Sequence, residues 1–340
     1  MKKKLLAVFG VLSIICRAGA YSPPPGGENL FFFGYPDITS SAYSSSGGAI
    51  FSAGPYSTVL NPALTAQEQR IAADFGWTGL VQTRYGDNFG DAFHIGALFP
   101  TRWGVWTAAT QMVFVPVLQM PLGNMFSFRA GWSRDITQEI CVGASIYAAG
   151  ISKYGDDFAI ASDLGFVWRL GTLWIFKDAR VSGVLANLGK TFVTDHYDTY
   201  PGFITAKAGI AALFLDTNEI KAGFSSDISI PTFQNFVFSV GVQAEIVKMI
   251  TISLGWDMNA YELGKGWDPH TPFISIGFKT TINTGKSGFM KEQGWEKSDI
   301  NGTFIWQQLN DEIQMISTGA TIKFGSADSD APIIEIGEAE

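Results

Sequence analysis

Three histidines are the first residues to consider for chemistry, because imidazole is the commonest metal ligand and general base in proteins. They are His94, His196 and His270. Residues 195–198 (DHYD) place carboxylates around His196, yet no second His or Cys lies nearby. A metal site needs several such ligands, and a hydrolase would need a nucleophile or acid beside a histidine. We therefore predict no metal site, no cofactor and no catalytic residue, and interpret residues 195–198 as a solvated loop.

Two short sequences resemble the end of a phosphate-binding loop. They are residues 189–191 (GKT) and 285–287 (GKS). The motif requires a glycine five positions earlier, because its backbone wraps the phosphates there. Val184 and Thr280 occupy those positions. The sequence therefore predicts neither a nucleotide site nor an enzyme.

The first twenty residues have the layout of a secretory signal peptide. Residues 2–4 are lysines, residues 5–15 are apolar, and residues 18–20 (AGA) form a small-residue cleavage site. Cleavage after residue 20 would remove Cys16 and leave Cys141 as the one cysteine, so no internal disulfide is expected. We thus expect an exported chain whose fold does not depend on disulfides.

The mature chain predicted in this way is strongly acidic. Loss of three lysines and Arg17 changes the formal charge from −8 to −12, since 19 basic and 31 acidic residues remain. An acidic chain is a poor binder of nucleic acid, so no nucleic-acid partner is predicted. Glycine contributes 38 of 340 residues and aromatics contribute 14%. After the signal, no apolar run approaches the roughly 18 residues of a membrane helix.

Period-two alternation dominates the rest of the chain and predicts β-strands. In residues 250–259, one face carries Ile250, Ile252, Leu254, Trp256 and Met258, and the other carries Thr251, Ser253, Gly255, Asp257 and Asn259. The second face of such strands is mostly Gly, Ser and Thr with isolated charges, whereas the outer face of a soluble sandwich is rich in Lys and Glu. The pattern favours an apolar face in contact with lipid and a polar face lining the inside of a barrel.

Fourteen such runs are found, an even number that suits a bacterial barrel. Their predicted bounds are 69–80, 91–99, 102–115, 124–134, 139–151, 157–169, 178–189, 203–214, 218–230, 234–246, 249–260, 273–282, 303–309 and 313–325. Short and long connections alternate, as periplasmic turns and external loops do. Residues 283–302 break this rule. We predict an all-β, antiparallel transmembrane barrel over residues 69–325, followed by an acidic, solvated tail at 326–340.

An irregular stretch precedes the first strand, and residues 21–68 have the length of a plug or hatch inside the barrel. A periplasmic tail with one apolar cluster is the alternative. Near its end, Asn61 is a good helix N-cap and Pro62 is pre-shaped for the first helical position. A short helical turn is therefore predicted to start here, with strand one following from about Ile71.

The connection after strand three is unusually apolar for an external loop. It contains Phe114, Val117, Leu118 and Met120. Because exposed apolar loops usually mark binding surfaces, these residues are candidates for capturing a hydrophobic ligand. Two alternatives remain open: the strand extends further, or the loop folds inward and packs the lumen.

With the signal, the plug-length stretch and Asn61-Pro62-Ala63 placed just before strand one, the chain resembles the long-chain fatty acid transporter (FadL-like) family. It looks closest to the FadL-like group of spirochaetes. Leu64 stands where the family usually has glycine. The resemblance implies a bacterial outer-membrane protein, embedded in outer-membrane lipid by the barrel assembly machinery. Hydrophobic molecules would enter from external loops and pass a hatch near Asn61, Pro62 and Ala63.

The first functional hypothesis is therefore outer-membrane transport of long-chain fatty acids or similar lipids. An apolar pocket lined by Phe31, Phe32 and Phe33 could hold an alkyl chain, which gains roughly 0.8 kcal/mol per buried methylene. The alternatives are a general diffusion porin with an open polar lumen, and a non-transport surface protein such as an adhesin or secretion shuttle with a sealed one.

Overall fold

A computed structural model describes residues 21–82, 89–116, 120–267, 271–283 and 297–325. The predicted signal peptide, the acidic tail, His270, residues 285–287, Val117 and Leu118 lie outside the described residues. Among the described residues, no helix has both the length and the apolar character needed to cross a membrane.

Fourteen antiparallel strands form a closed barrel, as the alternation predicted. In chain order, β1 to β14 span Ala72–Gln82, Phe89–Thr101, Gly104–Val115, Gly123–Asp135, Ile140–Ser152, Asp157–Leu173, Phe176–Lys190, Thr205–Asp216, Ile220–Ile230, Val237–Ile246, Ile250–Asn259, Phe273–Asn283, Lys297–Gln308 and Ile313–Phe324. Each strand pairs with its neighbours in sequence. The barrel closes where β1 pairs with β14, from Ala72 opposite Lys323 to Gln82 opposite Ile313.

The outer surface of the barrel is apolar. Phe75 is 55% exposed, Ile95 62% and Leu254 53%, and all three point away from the barrel interior. Their sequence neighbours on the same strands, Asp74 and Ser253 among them, are buried. Exposure of such a band of large apolar side chains is unfavourable in water but favourable in contact with the hydrocarbon of a membrane.

The two ends of the barrel differ in the length of their connections. At one end, here called the short-turn end, strands are joined by residues 102–103, 136–139, 174–175, 217–219 and 247–249. At the opposite, long-loop end, the connections include residues 191–204 and 231–236, together with two connections of four residues each, 153–156 and 309–312. The alternation predicted from the sequence therefore holds for some of the described connections but not for those two.

Some strand limits differ from the predicted ones. β13 begins at Lys297 rather than at residue 303, and β2 begins at Phe89 rather than at residue 91. β6 ends at Leu173 rather than at residue 169, and β7 begins at Phe176 rather than at residue 178, so a tight turn joins the two strands. The predicted helical turn is a 3-10 helix at Pro62–Gln67, capped by Asn61 as expected.

Candidate ligand-binding cavity

Residues 21–67, called here the N-terminal segment, contact the inward-facing side chains of strands on all sides of the barrel. The hydrogen-bonded pairs join Ser45 to Asp227 and Ser182, Thr58 to Thr107, Thr65 to Ser133, Tyr43 to Gln307, and Ser40 to Gln243. These partners belong to β3, β4, β7, β9, β10 and β13. The segment therefore lies inside the barrel, and its polar groups are satisfied by the barrel wall rather than by water.

Asn61 joins the segment to the wall through its side-chain amide. Its nitrogen donates to the carbonyl of Phe166 on β6 at 3.1 Å and to the carbonyl of Ser45 at 2.9 Å. Its oxygen accepts from the Ala63 N–H at 3.0 Å, which caps the following 3-10 helix. The side chain is fully buried, so all three bonds form without competition from water.

Two glycines of the wall make room for this contact. A methyl group added to Gly165 on β6 would meet the Asn61 side chain, and one added to Gly143 on β5 would meet the backbone of Pro62 and Ala63. Glycine allows this close approach because it lacks a Cβ atom. Asn61, Pro62 and Ala63 thus pack against the wall and do not line the cavities described next.

An aromatic cavity lies between the segment and the wall towards the long-loop end. Its volume is about 60 Å³, enough for a few water molecules or part of a small ligand. Its apolar lining comes from Phe31, Phe32, Tyr43, Val59 and Val237, and its charged lining from Glu28, Asp163, Asp227, Asp257, Arg129 and Lys207. The cavity can therefore hold an apolar body and one polar group.

The segment provides the aromatic rings of this cavity. Phe31 packs on Tyr147 of β5, with 4.7 Å between ring centroids, and Phe32 packs on Tyr43 at 5.8 Å. Lys207 of β8 places its ammonium 4.8 Å from the centroid of the Phe32 ring. Such cation–π contact is stabilising when both groups are shielded from water.

A small cavity of about 20 Å³ adjoins the aromatic cavity at the long-loop end. Phe33 and Met120 line it, and Asn29, Val237 and Asp257 border both cavities. Met120 is buried and lies against Gly26 of the segment. The described part of the apolar loop thus folds inward, the second of the two alternatives left open by the sequence.

A larger, polar cavity of about 380 Å³ lies at the short-turn end. Lys221, Glu245, Lys248 and Lys279 border it together with segment residues from Asp37 to Tyr56. The aromatic cavity is bordered by Phe31, Phe32, Tyr43 and Val59 of the same segment. The part of the segment between residues 40 and 59 therefore separates the two cavities.

The structure brings together some of the predicted ligand-contact residues and separates others. Phe31 and Phe32 line the aromatic cavity, and Phe33 and Met120 the small one. Phe114 lies on the outer face of β3, where it is 43% exposed. His94 is buried and stacks on Tyr35, with ring centroids 4.1 Å apart. No group of metal-binding side chains occurs in the described part of the chain.

Sequence reasoning did not select the charged residues of the aromatic cavity. Asp163, Lys207 and Asp227 all occupy inward-facing positions in the middle or at the end of a strand. A single charged residue among small polar residues on an inward face could have indicated them. Ionisable groups at membrane depth are energetically costly, so they are candidates for functional residues. Which of them meet around one cavity depends on contacts between distant strands.

Two carboxyl groups close to the long-loop end have raised pKa values. Burial raises the pKa of Glu28 to about 7, although hydrogen bonds from the Gly202 N–H and the Tyr21 hydroxyl favour its charged form. Burial raises the pKa of Glu262 to about 7, although a hydrogen bond from the Gly26 N–H favours the charged form; the nearby Glu28 charge adds a smaller upward contribution. Both groups bind a proton more strongly when the segment is docked than when it is free in water.

Docking of residues 21–30 is therefore expected to weaken as pH rises. Undocked Glu28 ionises above about 4.5, whereas docked Glu28 keeps its proton up to about 7, so the docked state loses stability across this interval and stays weaker above it. Hydrogen exchange of residues 21–30, corrected for intrinsic rates, should be faster at pH 8 than at pH 5. Glu28→Gln should remove most of this dependence, and Glu139→Gln at an exposed short turn is the control. An unchanged pH dependence in Glu28→Gln would contradict the prediction.

Comparisons with known proteins give a fold but no family. No protein-family model and no curated protein matches the chain. The CymD monoaromatic hydrocarbon channel aligns with 88% of this chain and 98% of its own, at 13% identity and a TM-score of 0.54. The toluene transporter TodX of Pseudomonas putida aligns with 86% of this chain and 98% of its own, at 9% identity and a TM-score of 0.50. A FadL homologue of Pseudomonas aeruginosa aligns with 83% of this chain and 96% of its own, at 11% identity and a TM-score of 0.48.

CymD and TodX share the barrel fold that the sequence predicted. They are named as a channel and a transporter, not as enzymes. The closed barrel of fourteen antiparallel strands, with its apolar outer surface, has the architecture of an outer-membrane β-barrel protein. The chain therefore shares the barrel fold of CymD and TodX, while its assignment to the FadL-like family and to the spirochaete group is still a prediction.

Proposed function

We propose that this protein transports hydrophobic small molecules across the outer membrane, with long-chain fatty acids or similar lipids as the candidate substrates. The observation that carries the proposal is the aromatic cavity, which Phe31 and Phe32 line on the long-loop side of the separating segment. Transfer of apolar surface from water to such a cavity contributes about 25 cal/mol per Å². No catalytic group is needed for this task.

The N-terminal segment acts in this proposal as a plug. Ligand enters from the long-loop end past Met120 and Phe33, and then reaches Phe31 and Phe32. Passage to the polar cavity requires that residues 40–59 move, with Asn61, Pro62 and Ala63 as the fixed end of the moving part. Phe114, Val117 and Leu118 are proposed as the outer contacts of the same entry route.

Two other functions fit less well. A general diffusion porin needs an open polar lumen, and here the segment bonds to strands around the whole barrel. A surface protein without transport activity needs no ligand cavity on the inside. The neighbours named as hydrocarbon channels favour a hydrophobic cargo at the level of analogy.

Uptake by the purified protein in proteoliposomes tests the proposal. Labelled long-chain fatty acid and a labelled neutral hydrocarbon are supplied outside, and sugar flux and ion conductance are measured in parallel. Phe32→Ala is expected to weaken hydrophobic binding roughly tenfold, because it removes a ring from the cavity lining. Phe75→Ala on the outer face of β1 is the matched control. Free passage of sugars and ions with no hydrophobic binding would instead support a porin.

A further inference from the structure

The charges around the aromatic cavity are unbalanced. Arg129 is committed to Asp163, with which it forms a buried ion pair that Ser145 supports by hydrogen bonds of 3.0 Å to both residues. The remaining lining charges are Lys207 and three carboxylates, which belong to Glu28, Asp227 and Asp257. The cavity thus carries an excess of acidic groups, and Glu28, whose pKa is about 7, adds its negative charge only above that pH.

Each of these three carboxylates already has hydrogen-bond donors from the protein. Glu28 accepts from the Tyr21 hydroxyl at 2.9 Å and the Gly202 N–H at 3.0 Å. Asp227 accepts from the Ser45 N–H at 2.7 Å and from the Ser45 hydroxyl, and Asp257 accepts from the Gln307 amide at 3.3 Å. Within the described ranges, none of the three has a lysine, arginine or histidine nitrogen within 4.0 Å.

Lys207 is the exception among the charged groups of the cavity. In the part of the chain that the structure describes, its ammonium contacts the Phe32 ring but has neither a hydrogen-bond acceptor nor an ion-pair partner. The residue as a whole is half-buried, and it lines both the aromatic cavity and an outward groove between β6, β7 and β8. An ammonium that borders a cavity and has no acceptor from the protein can donate to a ligand that offers one, and such a ligand would be stabilised.

We propose that the aromatic cavity selects hydrophobic molecules whose polar group is an uncharged hydrogen-bond acceptor, bound by Lys207, over molecules with a carboxylate. This inference rests on the proposed transport function and narrows its substrate class to uncharged lipids, so an ionised fatty acid would be a weaker ligand than the corresponding alcohol or ketone. Candidates by chemistry are long-chain alcohols, ketones and esters, and phenols or aryl ketones of similar size.

Electrostatics distinguishes these head groups. A ketone or hydroxyl oxygen gains a charge-assisted hydrogen bond from Lys207 and brings no charge to the surrounding carboxylates. A carboxylate gains the same contact but is repelled by Glu28, Asp227 and Asp257 in a site of low dielectric, and it must also leave water. An ammonium head group is attracted by the acids but meets Lys207 at the point of contact.

A matched twelve-carbon series tests the proposal. Labelled dodecan-2-one, 1-dodecanol, dodecanoate, dodecylammonium and dodecane are each equilibrated with the full-length mature protein in lipid nanodiscs at pH 8, and binding to empty nanodiscs is subtracted. The ketone and the alcohol should bind about tenfold or more tightly than dodecanoate, because repulsion from the acidic groups and the loss of hydration both oppose binding of the carboxylate. They should also bind more tightly than dodecane.

Two substitutions test whether the order of affinities for the five ligands depends on residues that line the aromatic cavity. Lys207→Met should lower the affinity for ketone and alcohol about tenfold, towards that of dodecane, because the donor is lost while the apolar stem is kept. Asp227→Asn should raise the affinity for dodecanoate because it removes one repulsive charge. Lys177→Met, at an exposed position on β7, is the matched control and should leave the order unchanged.

The possible outcomes separate this inference from the proposed function. Tightest binding of dodecanoate, or of dodecylammonium, would overturn the inference and leave hydrophobic transport standing. An unchanged head-group order in Lys207→Met would also overturn it. Failure of the whole series to bind, dodecane included, would remove the proposed function itself.

Discussion

Removal of residues 21–67 is expected to turn the protein into an open, ion-conducting pore. Eight-stranded barrels are filled by their own side chains, whereas barrels of 16 to 18 strands enclose a water-filled channel. Fourteen strands leave a space that inward side chains alone do not fill, and in the proposed function the N-terminal segment plugs this space. Planar-bilayer conductance should rise on the order of tenfold or more, since the polar cavity would then extend through the barrel.

The barrel should survive this deletion. Its closure depends on the eleven residue pairs between β1 and β14, which begin at Ala72. Glu68 and Arg70, which bind Lys323 and Asp299 at the short-turn end, are kept. Circular dichroism and heat-dependent gel mobility check that the strands and the closed barrel remain.

A locked variant provides the opposite control. Ser45 and Ser182 have hydroxyl oxygens 2.8 Å apart, so Ser45→Cys with Ser182→Cys, in a Cys141→Ser background, should form a disulfide that fixes the segment to β7. The oxidised form should conduct no ions and transport no ligand, and reduction should restore transport. A deletion variant with native strand content and no conductance would contradict the assignment of the segment as a plug.

The barrel could be predicted from sequence because alternation is a local property of each strand. Residues 250–259 alternate without interruption, and β11 has these bounds in the structure. The start of β13 was missed because residues 297–302 (KSDING) contain a single large apolar residue. That part of the strand is held by its pairing with β12 and β14, as in Ser298 opposite Phe324, and such pairing is not visible in a local pattern.

The candidate site was predictable only in part, for a related reason. Phe31 and Phe32 stand out as an aromatic cluster in a polar, glycine-rich stretch, so composition alone indicated them. Lys207 and Asp227 line the same cavity as these rings only because the segment folds back inside the barrel, and the contact between Lys207 and Phe32 joins residues 207 − 32 = 175 positions apart in the chain. Phe114 continues the alternation of β3 and so points outward, although its neighbours were interpreted as a loop.

Asn61→Ala is expected to release the N-terminal segment from the wall without unfolding the barrel. The substitution removes the helix cap at Ala63 and leaves the buried carbonyls of Phe166 and Ser45 without the donor they have now. Loss of a cap costs about 1 kcal/mol, and each buried group left unpaired costs about 1 to 3 kcal/mol. The lower end of these ranges, roughly 3 kcal/mol in total, would raise the population of the undocked segment about a hundredfold.

Two further variants separate the effect of the two hydrogen bonds that the Asn61 amide donates from the effect of the helix cap that its oxygen provides. Asn61→Asp keeps an oxygen for the Ala63 N–H but loses both donor bonds and buries a charge, so it should resemble Asn61→Ala rather than the wild type. Gly165→Ala leaves Asn61 in place but puts a methyl group where its side chain lies, and should undock the segment as well.

Single-channel recording and hydrogen exchange of residues 40–67 measure the effect of these changes. Brief openings to the conductance of the deletion variant should become about a hundredfold more frequent in Asn61→Ala, in proportion to the undocked population. Exchange in residues 40–67 should accelerate, while exchange in β11 should not, because the strands keep their pairing. If Asn61→Ala showed the hydrogen-exchange rates and the opening frequency of the wild type, the other hydrogen bonds between the segment and the barrel wall would be sufficient to keep the segment docked. Asn61 would then act only as a helix cap.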